Sequence, residues 1–220
     1  MIEFLPTVLV QSDEAFQRRV RAVRPLVRHE SVPMLSIDVI DGLFVDALPT
    51  YPTAAYVADQ QLDVPFEVDL MVQNPLPELE AWIQAGAARV QFHAEVVDDL
   101  SLALRQAKSF VGSAEVGVVL NPETSLAVVD EIAPDVDMIQ LMGVHPGASG
   151  QSFLPETVDR VASLKQRHPD ILIAVDGGVS PETLPQLVQA GATRFAVGSF
   201  FDEAHPADSL SLLVNAIPHD

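Results

Sequence analysis

The sequence lacks cysteine and has few cations, and each shortage excludes a class of protein. Without cysteine the chain can form no disulfide, no thiolate nucleophile and no thiolate metal ligand. It has 12 Lys and Arg against 31 Asp and Glu, which gives a formal net charge of −19. Such a surface repels phosphate backbones and anionic lipids, so we expect neither nucleic-acid binding nor membrane binding.

Long apolar runs and targeting signals are also missing. No apolar run reaches the roughly 18 residues that a membrane-spanning helix needs. The first residues, Met1-Ile-Glu-Phe-Leu-Pro, lack the basic flank and apolar region of a signal peptide. Hydrophobic residues make up 48% of the 220 residues, enough for a sizeable core. We therefore expect a soluble, cytoplasmic protein with one domain over residues 1–220.

What the chain does contain is an alternation of short apolar runs with helical patterns. Buried parallel strands have this near-continuous apolar character. Strands are predicted over residues 4–10, 32–40, 66–72, 89–94, 116–120, 136–142, 171–176 and 194–197. Helices are predicted over residues 13–27, 54–60, 76–85, 99–109, 125–132, 155–167 and 206–216. Pro25 is expected to kink or end the first of them. A further helix is predicted to begin with Ser180 as N-cap and Pro181 as its first residue. Eight strand-then-helix units predict an α/β fold, a single (β/α)8 TIM barrel.

Three carboxylates fall at the carboxyl ends of predicted strands, where barrel enzymes place their active sites. They are Asp38, Asp69 and Asp176. A single such Asp is more often a turn or helix cap, but Asp38 lies inside an apolar strand and Asp41-Gly42 already supplies the turn. Three carboxylates at one mouth would raise each other's pKa. Either some of them are protonated or a cation lies among them, which favours a divalent metal.

Cationic side chains are not expected at that mouth. Every Arg and both lysines, Lys108 and Lys165, fall in predicted helices or at strand starts, which we assign to the opposite face. Schiff-base aldolase chemistry is disfavoured because it needs a lysine nucleophile. Decarboxylases that pair a Lys with an Asp on a strand are disfavoured for the same reason.

Three glycine-rich turns follow the last strands. They are the loop from His145 through Gly147 to Gly150, the pair Gly177-Gly178, and Gly198-Ser199. Each alone could be only a turn. Together their N–H groups can bind a phosphate without cationic side chains, and barrels often place such a site after strands seven and eight.

These motifs resemble those of the ribulose-phosphate 3-epimerase family over nearly the whole chain. The similar segments include Asp38-Val-Ile-Asp-Gly, Asp69-Leu-Met-Val, Phe92-His-Ala-Glu, Val144-His-Pro-Gly, Asp176-Gly-Gly-Val and Val197-Gly-Ser. The family interconverts ribulose 5-phosphate and xylulose 5-phosphate, or related ketose phosphates, through an enediolate. The resemblance implies that Asp38 and Asp176 act as acid and base on opposite faces of the reacting carbon, and that the protein is a homo-oligomer. It also implies sugar-phosphate contacts from Thr7, Met71, His93, Met142, His145, Gly147, Gly150, Gly177, Gly178, Gly198 and Ser199.

The chain departs from the family pattern at the expected metal site. The family holds its metal with two histidines and the two aspartates, but the histidine positions are Ser36 and Asp69 here. The resemblance then implies a ligand set of Asp38, Asp69, Asp176 and Ser36. Oxygen-only ligands favour Mg²⁺ or Mn²⁺ over zinc or iron. The alternative is a site that binds no metal.

Three hypotheses about function follow. The first is a metal-assisted epimerase of a ketose phosphate, in which an ion stabilises the enediolate as a Lewis acid. The absence of cationic side chains at the mouth favours it, because something must balance the developing charge. The second keeps the phosphosugar site but changes the substrate or reaction, with proton transfer by His145 or His93 because imidazole titrates near neutrality. For His93 a hydrogen-bonded core position is the better interpretation. The third is a relative that binds a phosphosugar or a partner subunit without catalysis.

Overall fold

Eight parallel strands close into a barrel in the order of the sequence. The computed structural model describes residues 1–218. The strands are β1 (Glu3–Val8), β2 (Leu35–Ile40), β3 (Phe66–Met71), β4 (Arg89–His93), β5 (Glu115–Leu120), β6 (Met138–Met142), β7 (Leu172–Asp176) and β8 (Arg194–Val197). The predicted barrel is confirmed, with most predicted strands shortened by one to three residues at an end.

Seven α-helices pack outside the strands: α1 (Asp13–Val23), α2 (Ala54–Gln60), α3 (Pro75–Gln84), α4 (Leu100–Phe110), α5 (Glu156–Arg167), α6 (Leu184–Ala190) and α7 (Pro206–Asn215). The predicted disruption near Pro25 is confirmed, because α1 gives way there to a 3-10 helix over Arg24–Arg28. None of the helices within residues 1–218 is long and apolar enough to cross a membrane.

Two helix predictions were wrong. The segment 125–132 forms only a 3-10 helix, Leu126–Val129, followed by turns. Pro134 disfavours the α-conformation at Ala133, which limits a helix on its carboxyl side. Helix α6 begins at Leu184, one turn later than predicted, so Ser180 and Pro181 lie in the preceding turn.

A side-chain bond explains the late start of α6. The Thr183 hydroxyl donates to the Gly178 carbonyl at 2.8 Å and accepts from the Ser180 amide at 2.9 Å. These bonds tie the chain back to the end of β7 before the helix begins. The Thr183 hydroxyl therefore shapes the turn that contains Gly177 and Gly178. This turn lies at the carboxyl end of the barrel.

The amino-terminal end of the barrel contains a buried ionic network. Arg89 is 2% exposed and bonds Glu67, which is 1% exposed, and its Nε lies 2.6 Å from Glu115 Oε2. Arg194 joins the same network through Glu115 at 3.1 Å and Glu3 at 2.8 Å. Buried charges need such pairing. The prediction that cations at strand starts lie at this face is confirmed for Arg89 and Arg194.

Candidate active site

A pocket opens at the carboxyl end of the barrel. It contains about 470 Å³ of empty space, part of which is open solvent. Its lining includes most of the residues proposed from the sequence: Thr7, Asp38, Met71, Met142, His145, Gly147, Gly150, Asp176, Gly177, Gly178, Gly198 and Ser199. The strand ends and the three glycine-rich turns therefore converge on one cavity.

Asp38 and Asp176 reach this pocket from strands that are three steps apart around the barrel. Asp38 is 5% exposed, and its Oδ1 has no hydrogen-bond partner among the described residues. Asp176 is partly exposed, and the Gly177 amide bonds its carboxyl group. Two carboxyls of different strands thus line the cavity from different sides.

Burial and the charges of nearby carboxylates raise the pKa of both groups. Burial is the larger cause for Asp38, followed by the charges of Asp176, Asp69 and Glu67. Burial is again the larger cause for Asp176, followed by Asp69 and Glu67. Like charges near each other cannot all ionise at neutral pH, so a proton is retained within this group of carboxyls.

Asp69 is the register partner of Asp38 on the next strand, but it does not line the pocket and belongs to a hydrogen-bonded chain of amide side chains. Gln140 Nε2 donates to Asp69 Oδ2 at 2.7 Å, and Gln91 Nε2 donates to Gln140 Oε1 at 3.0 Å. Burial raises the pKa of Asp69 to about 6, opposed by His93 and by both glutamines. Asp69 is therefore hydrogen-bonded to an amide side chain and stays outside the cavity lining.

His93 and Ser36 also lie outside the pocket lining, so the expected substrate contact at His93 stays a prediction. The His93 side chain is 0% exposed, and its ring packs against Phe44 with centroids 4.8 Å apart. Its Nε2 lies 3.8 Å from Asp69 Oδ1, and its Nδ1 lies 3.4 Å from Glu95 Oε2. His93 has the predicted core position, although neither ring nitrogen has a hydrogen-bond partner within residues 1–218.

The proposed metal ligands do not gather into one site. Asp38 Oδ1, Asp69 Oδ1 and Ser36 Oγ are buried oxygens without hydrogen-bond partners among the described residues, a donor chemistry that suits a hard cation. However, residues 1–218 contain no cluster of three acidic, histidine or cysteine side chains close enough to hold an ion. Gln140 occupies one oxygen of Asp69. As arranged, the ligand set does not fit a resident metal.

The turns after β7 and β8 have two features that bear on anion binding. The turn after β7 requires glycine, and both turns contain an amide without a backbone acceptor in residues 1–218. Gly177 and Gly178 have φ of 97° and 68°, and a Cβ on Gly178 would lie 2.7 Å from Phe153 Cβ. The N–H groups of Gly178 and Ser199 have no backbone acceptor within the described residues. Free amides at the edge of a cavity can bind an anion. These two turns therefore present hydrogen-bond donors to the cavity lining that suit an anion.

Gly143 joins the loop after β6 to the end of β7. Its amide donates to the Asp176 carbonyl at 2.6 Å, and an added Cβ would overlap the Gly177 carbonyl oxygen. Gly143→Ala is expected to cost about 1–3 kcal/mol of unfolding free energy because backbone must move. Urea unfolding measures the change. The comparison is Gly112→Ala, where the added Cβ meets open space and only the backbone strain of φ 63° opposes alanine, at a cost of about 1 kcal/mol. A larger loss there than at Gly143 would contradict the prediction.

The prediction that every cation lies at the opposite face was wrong for two arginines. Arg19 on α1 donates to the Thr7 and Gly198 carbonyls at 2.9 Å each. Arg160 on α5 donates to the Asn121 carbonyl at 3.1 Å. Both side chains extend toward the carboxyl ends of the strands. Arg19 could have been recognised, because it lies with Phe16 and Val23 on the buried stripe of α1.

Sequence reasoning also missed polar residues that build the site. Gln91 and Gln140 interrupt the apolar runs of β4 and β6, which was the available signal. Gln151 donates to the His145 and Ala148 carbonyls at 2.6 and 2.9 Å and so shapes the loop after β6. No sequence signal marks that contact. His145 itself lines the pocket, with Nδ1 3.3 Å from Glu123 Oε1.

Comparisons with known proteins agree with this geometry. A model of the "Ribulose-phosphate 3 epimerase family" matches residues 7–201. The ribulose-phosphate 3-epimerase of Bacillus subtilis (strain 168) is 31% identical over 204 residues, which covers 90% of this chain and 91% of that protein. The chain belongs to the ribulose-phosphate 3-epimerase family. The enzyme of the same name from Treponema pallidum (strain Nichols) is 34% identical over 169 residues, covering 75% and 77% of the two chains.

Solved structures show how widely this epimerase-family barrel is shared. KGPDC from Streptococcus mutans has a TM-score of 0.72 at 12% identity, covering 98% of this chain and 96% of that one. The 3-hexulose-6-phosphate synthase from Salmonella typhimurium has a TM-score of 0.71 at 15% identity, covering 98% of each chain. At such identities the likeness shows the fold alone. The family assignment, by contrast, supports a pentose-phosphate epimerase.

Proposed function

We propose that this chain is a ketose-phosphate 3-epimerase acting on ribulose 5-phosphate, xylulose 5-phosphate or a related sugar phosphate. The observation that carries the proposal is the presence of Asp38 and Asp176 on different sides of one cavity. An epimerisation needs a base on one face of the carbon and an acid on the other. Family membership supplies the reaction class.

Proton transfer is assigned to the two carboxyls. The ionised one removes the proton next to the ketone, and the protonated one returns a proton from the opposite face of the enediolate. Their raised pKa values support this division, because they let one carboxyl keep its proton near neutral pH. After each turnover the two groups have exchanged states, so the next turnover proceeds in reverse or waits for solvent exchange.

Substrate binding is assigned to the rest of the cavity. Met71 and Met142 offer an apolar lining beside the reacting carbons. The amides of Gly178 and Ser199, with the loop from Gly147 to Gly150, would bind the phosphate. Together these groups fix the sugar between the two carboxyls.

The metal content is a separate point of the proposal. The family resemblance implies a divalent ion, and oxygen donors favour Mg²⁺ or Mn²⁺. Because the donors do not gather into a site, we expect the proton transfers to use the carboxyls without a resident ion. Calorimetric titration with Mg²⁺, Mn²⁺ and Zn²⁺ is expected to show no micromolar binding. Tight Mn²⁺ binding that Asp69→Asn abolishes would establish the ligand set instead.

The reaction is tested by incubating ribulose 5-phosphate with the protein in D₂O. Deuterium at C3 and formation of xylulose 5-phosphate are expected, both measurable by NMR. If the phosphosugar binds but its C3 hydrogen does not exchange, the protein is a non-catalytic phosphosugar-binding barrel. A different product would indicate a changed reaction, for which His145 at the pocket is the available additional proton carrier.

The quaternary structure is proposed from the family resemblance alone. We propose a homo-oligomer of this chain. Light scattering coupled to size-exclusion chromatography measures its mass against the 23.7 kDa of one chain. A mass equal to one chain across the working concentration range would contradict the proposal.

A further inference from the structure

Arg19 is a buried cation directly behind the phosphate-binding turn. It lies on the inner stripe of α1 and is 7% exposed. Its guanidinium makes three charge-assisted hydrogen bonds to backbone carbonyls: Nε to Thr7 at 2.9 Å, Nη1 to Phe201 at 2.8 Å and Nη2 to Gly198 at 2.9 Å. The planar fork of a guanidinium can hold several acceptors in a fixed arrangement. Arg19 thereby fixes both the end of β1 and the turn after β8.

These carbonyls lie at the seam where the barrel closes. Strand β1 pairs with β8 up to Pro6 and Val197, and Pro6 has no N–H to donate to the ladder. Beyond that pair the guanidinium joins Thr7 and Gly198. A Cβ on Gly198 would lie 3.0 Å from Thr7 Oγ1, so the two segments approach closely here. Arg19 therefore bridges β1 and the turn after β8 at the point where the hydrogen-bonded ladder between β1 and β8 ends.

The charge of Arg19 is not neutralised by an ion pair. No carboxylate lies within ion-pair distance of Arg19 among residues 1–218. Its neighbour on the same helix, Arg18, differs because it pairs with Glu203 at 3.0 Å and is exposed. Burial lowers the pKa of Arg19, whereas the charges of Glu203 and Asp38, which lie beyond ion-pair distance, raise it. Its three carbonyl bonds offset part of the cost of burying the cation. The pocket lining within the described residues contains no Lys or Arg, so its phosphate site otherwise relies on backbone dipoles.

We propose that Arg19 is the positioning residue of the phosphate site. It would hold the Gly198–Ser199 turn so that its amides face the cavity, and it would supply the positive charge that a phosphate dianion needs. Because the Gly198 and Phe201 carbonyls accept from the guanidinium, the negative ends of these peptide dipoles face Arg19. The inference rests on the proposed function for the identity of the ligand, a phosphorylated sugar. It differs from that proposal because Arg19 lies outside the cavity and does not contact the substrate.

The test compares Arg19→Gln and Arg19→Lys with Arg18→Gln. The two glutamine variants remove the same charge from adjacent positions of one helix. Inorganic phosphate is the probe, and its dissociation constant is measured by calorimetry or from the phosphate-dependent rise in Tm. Arg19→Gln is expected to weaken phosphate binding about tenfold or more, whereas Arg18→Gln leaves it within about twofold. Arg19→Lys keeps the charge but loses the fork, so an intermediate effect is expected.

Kinetics separate positioning from general damage to the fold. For a ketose phosphate, Arg19→Gln is expected to raise KM about tenfold while kcat changes less, because uniform binding is lost. Wild-type phosphate affinity in folded Arg19→Gln or Arg19→Lys would overturn the inference, and so would a wild-type protein that binds no phosphate. If Arg19→Gln does not fold, Arg19→Lys decides. Phosphate binding that depends on Arg19 without epimerisation would refute the proposed function and leave this inference standing.

Discussion

Asp38→Asn and Asp176→Asn are each expected to lower kcat for epimerisation by about 100- to 10,000-fold. Asparagine keeps the shape of the side chain but cannot carry the transferred proton. Each variant retains one carboxyl, which can still remove and return a proton on its own face of the carbon. We therefore expect each variant to exchange the C3 hydrogen of only one epimer with solvent deuterium, and the two variants to differ in which one.

Proton NMR of each epimer in D₂O measures this exchange. The control is Asp170→Asn, an exposed position just before the amino-terminal end of β7, which should keep wild-type kinetics. Exchange of both epimers by both variants would show that the two aspartates are not the acid and base. Loss of activity in the control would indicate a general effect of charge on the fold.

Arg89→Met is expected to lower the unfolding free energy by about 3–5 kcal/mol, the usual effect of breaking a buried ion pair. The change leaves Glu67, 1% exposed, charged and without its partner inside the barrel. The double variant Glu67→Gln, Arg89→Met also removes the unpaired negative charge of Glu67. It is therefore expected to be more stable than Arg89→Met alone. Urea unfolding followed by circular dichroism measures all three proteins.

A matched surface pair provides the comparison. Arg24 lies 3.3 Å from Asp63, and both side chains are more than half exposed. Arg24→Met is therefore expected to change stability by less than about 1 kcal/mol. Equal losses for Arg24→Met and Arg89→Met would mean that burial does not determine the effect. A double variant less stable than Arg89→Met would mean that the loss comes from packing rather than from charge.

The strands could be predicted because buried parallel strands are apolar along their whole length. The positions of Asp38 and Asp176 in the pocket lining agree with the rule that barrel enzymes place functional residues at the carboxyl ends of strands, whereas Asp69 does not follow it. The glycine turns followed from their place after the last three strands. These predictions used only local patterns and the rules of barrel closure.

Features that depend on which distant groups meet were not predictable in the same way. The direction of the long Arg19 side chain depends on carbonyls of β1 and of the turn after β8. The separation of Asp69 from the pocket depends on Gln140, which is 71 residues away along the chain. The displaced start of α6 depends on one bond from Thr183 to Gly178. In each case the observed arrangement depends on one side-chain contact with a group elsewhere in the chain, which the local sequence pattern does not indicate.

The closure of the barrel at β1 and β8 has a consequence for synthesis on the ribosome. Strand β1 emerges first but finds its second neighbour only after residues 194–197 have been made. Until then one edge of β1 is unpaired, and exposed strand edges promote aggregation. The Arg19 side chain also lacks two of its three acceptors, the Phe201 and Gly198 carbonyls. Asp38 and Asp69 can be in place long before that point. The proposed phosphate site is thus among the last parts of the molecule to form, and phosphate binding would report that a nascent chain has closed its barrel.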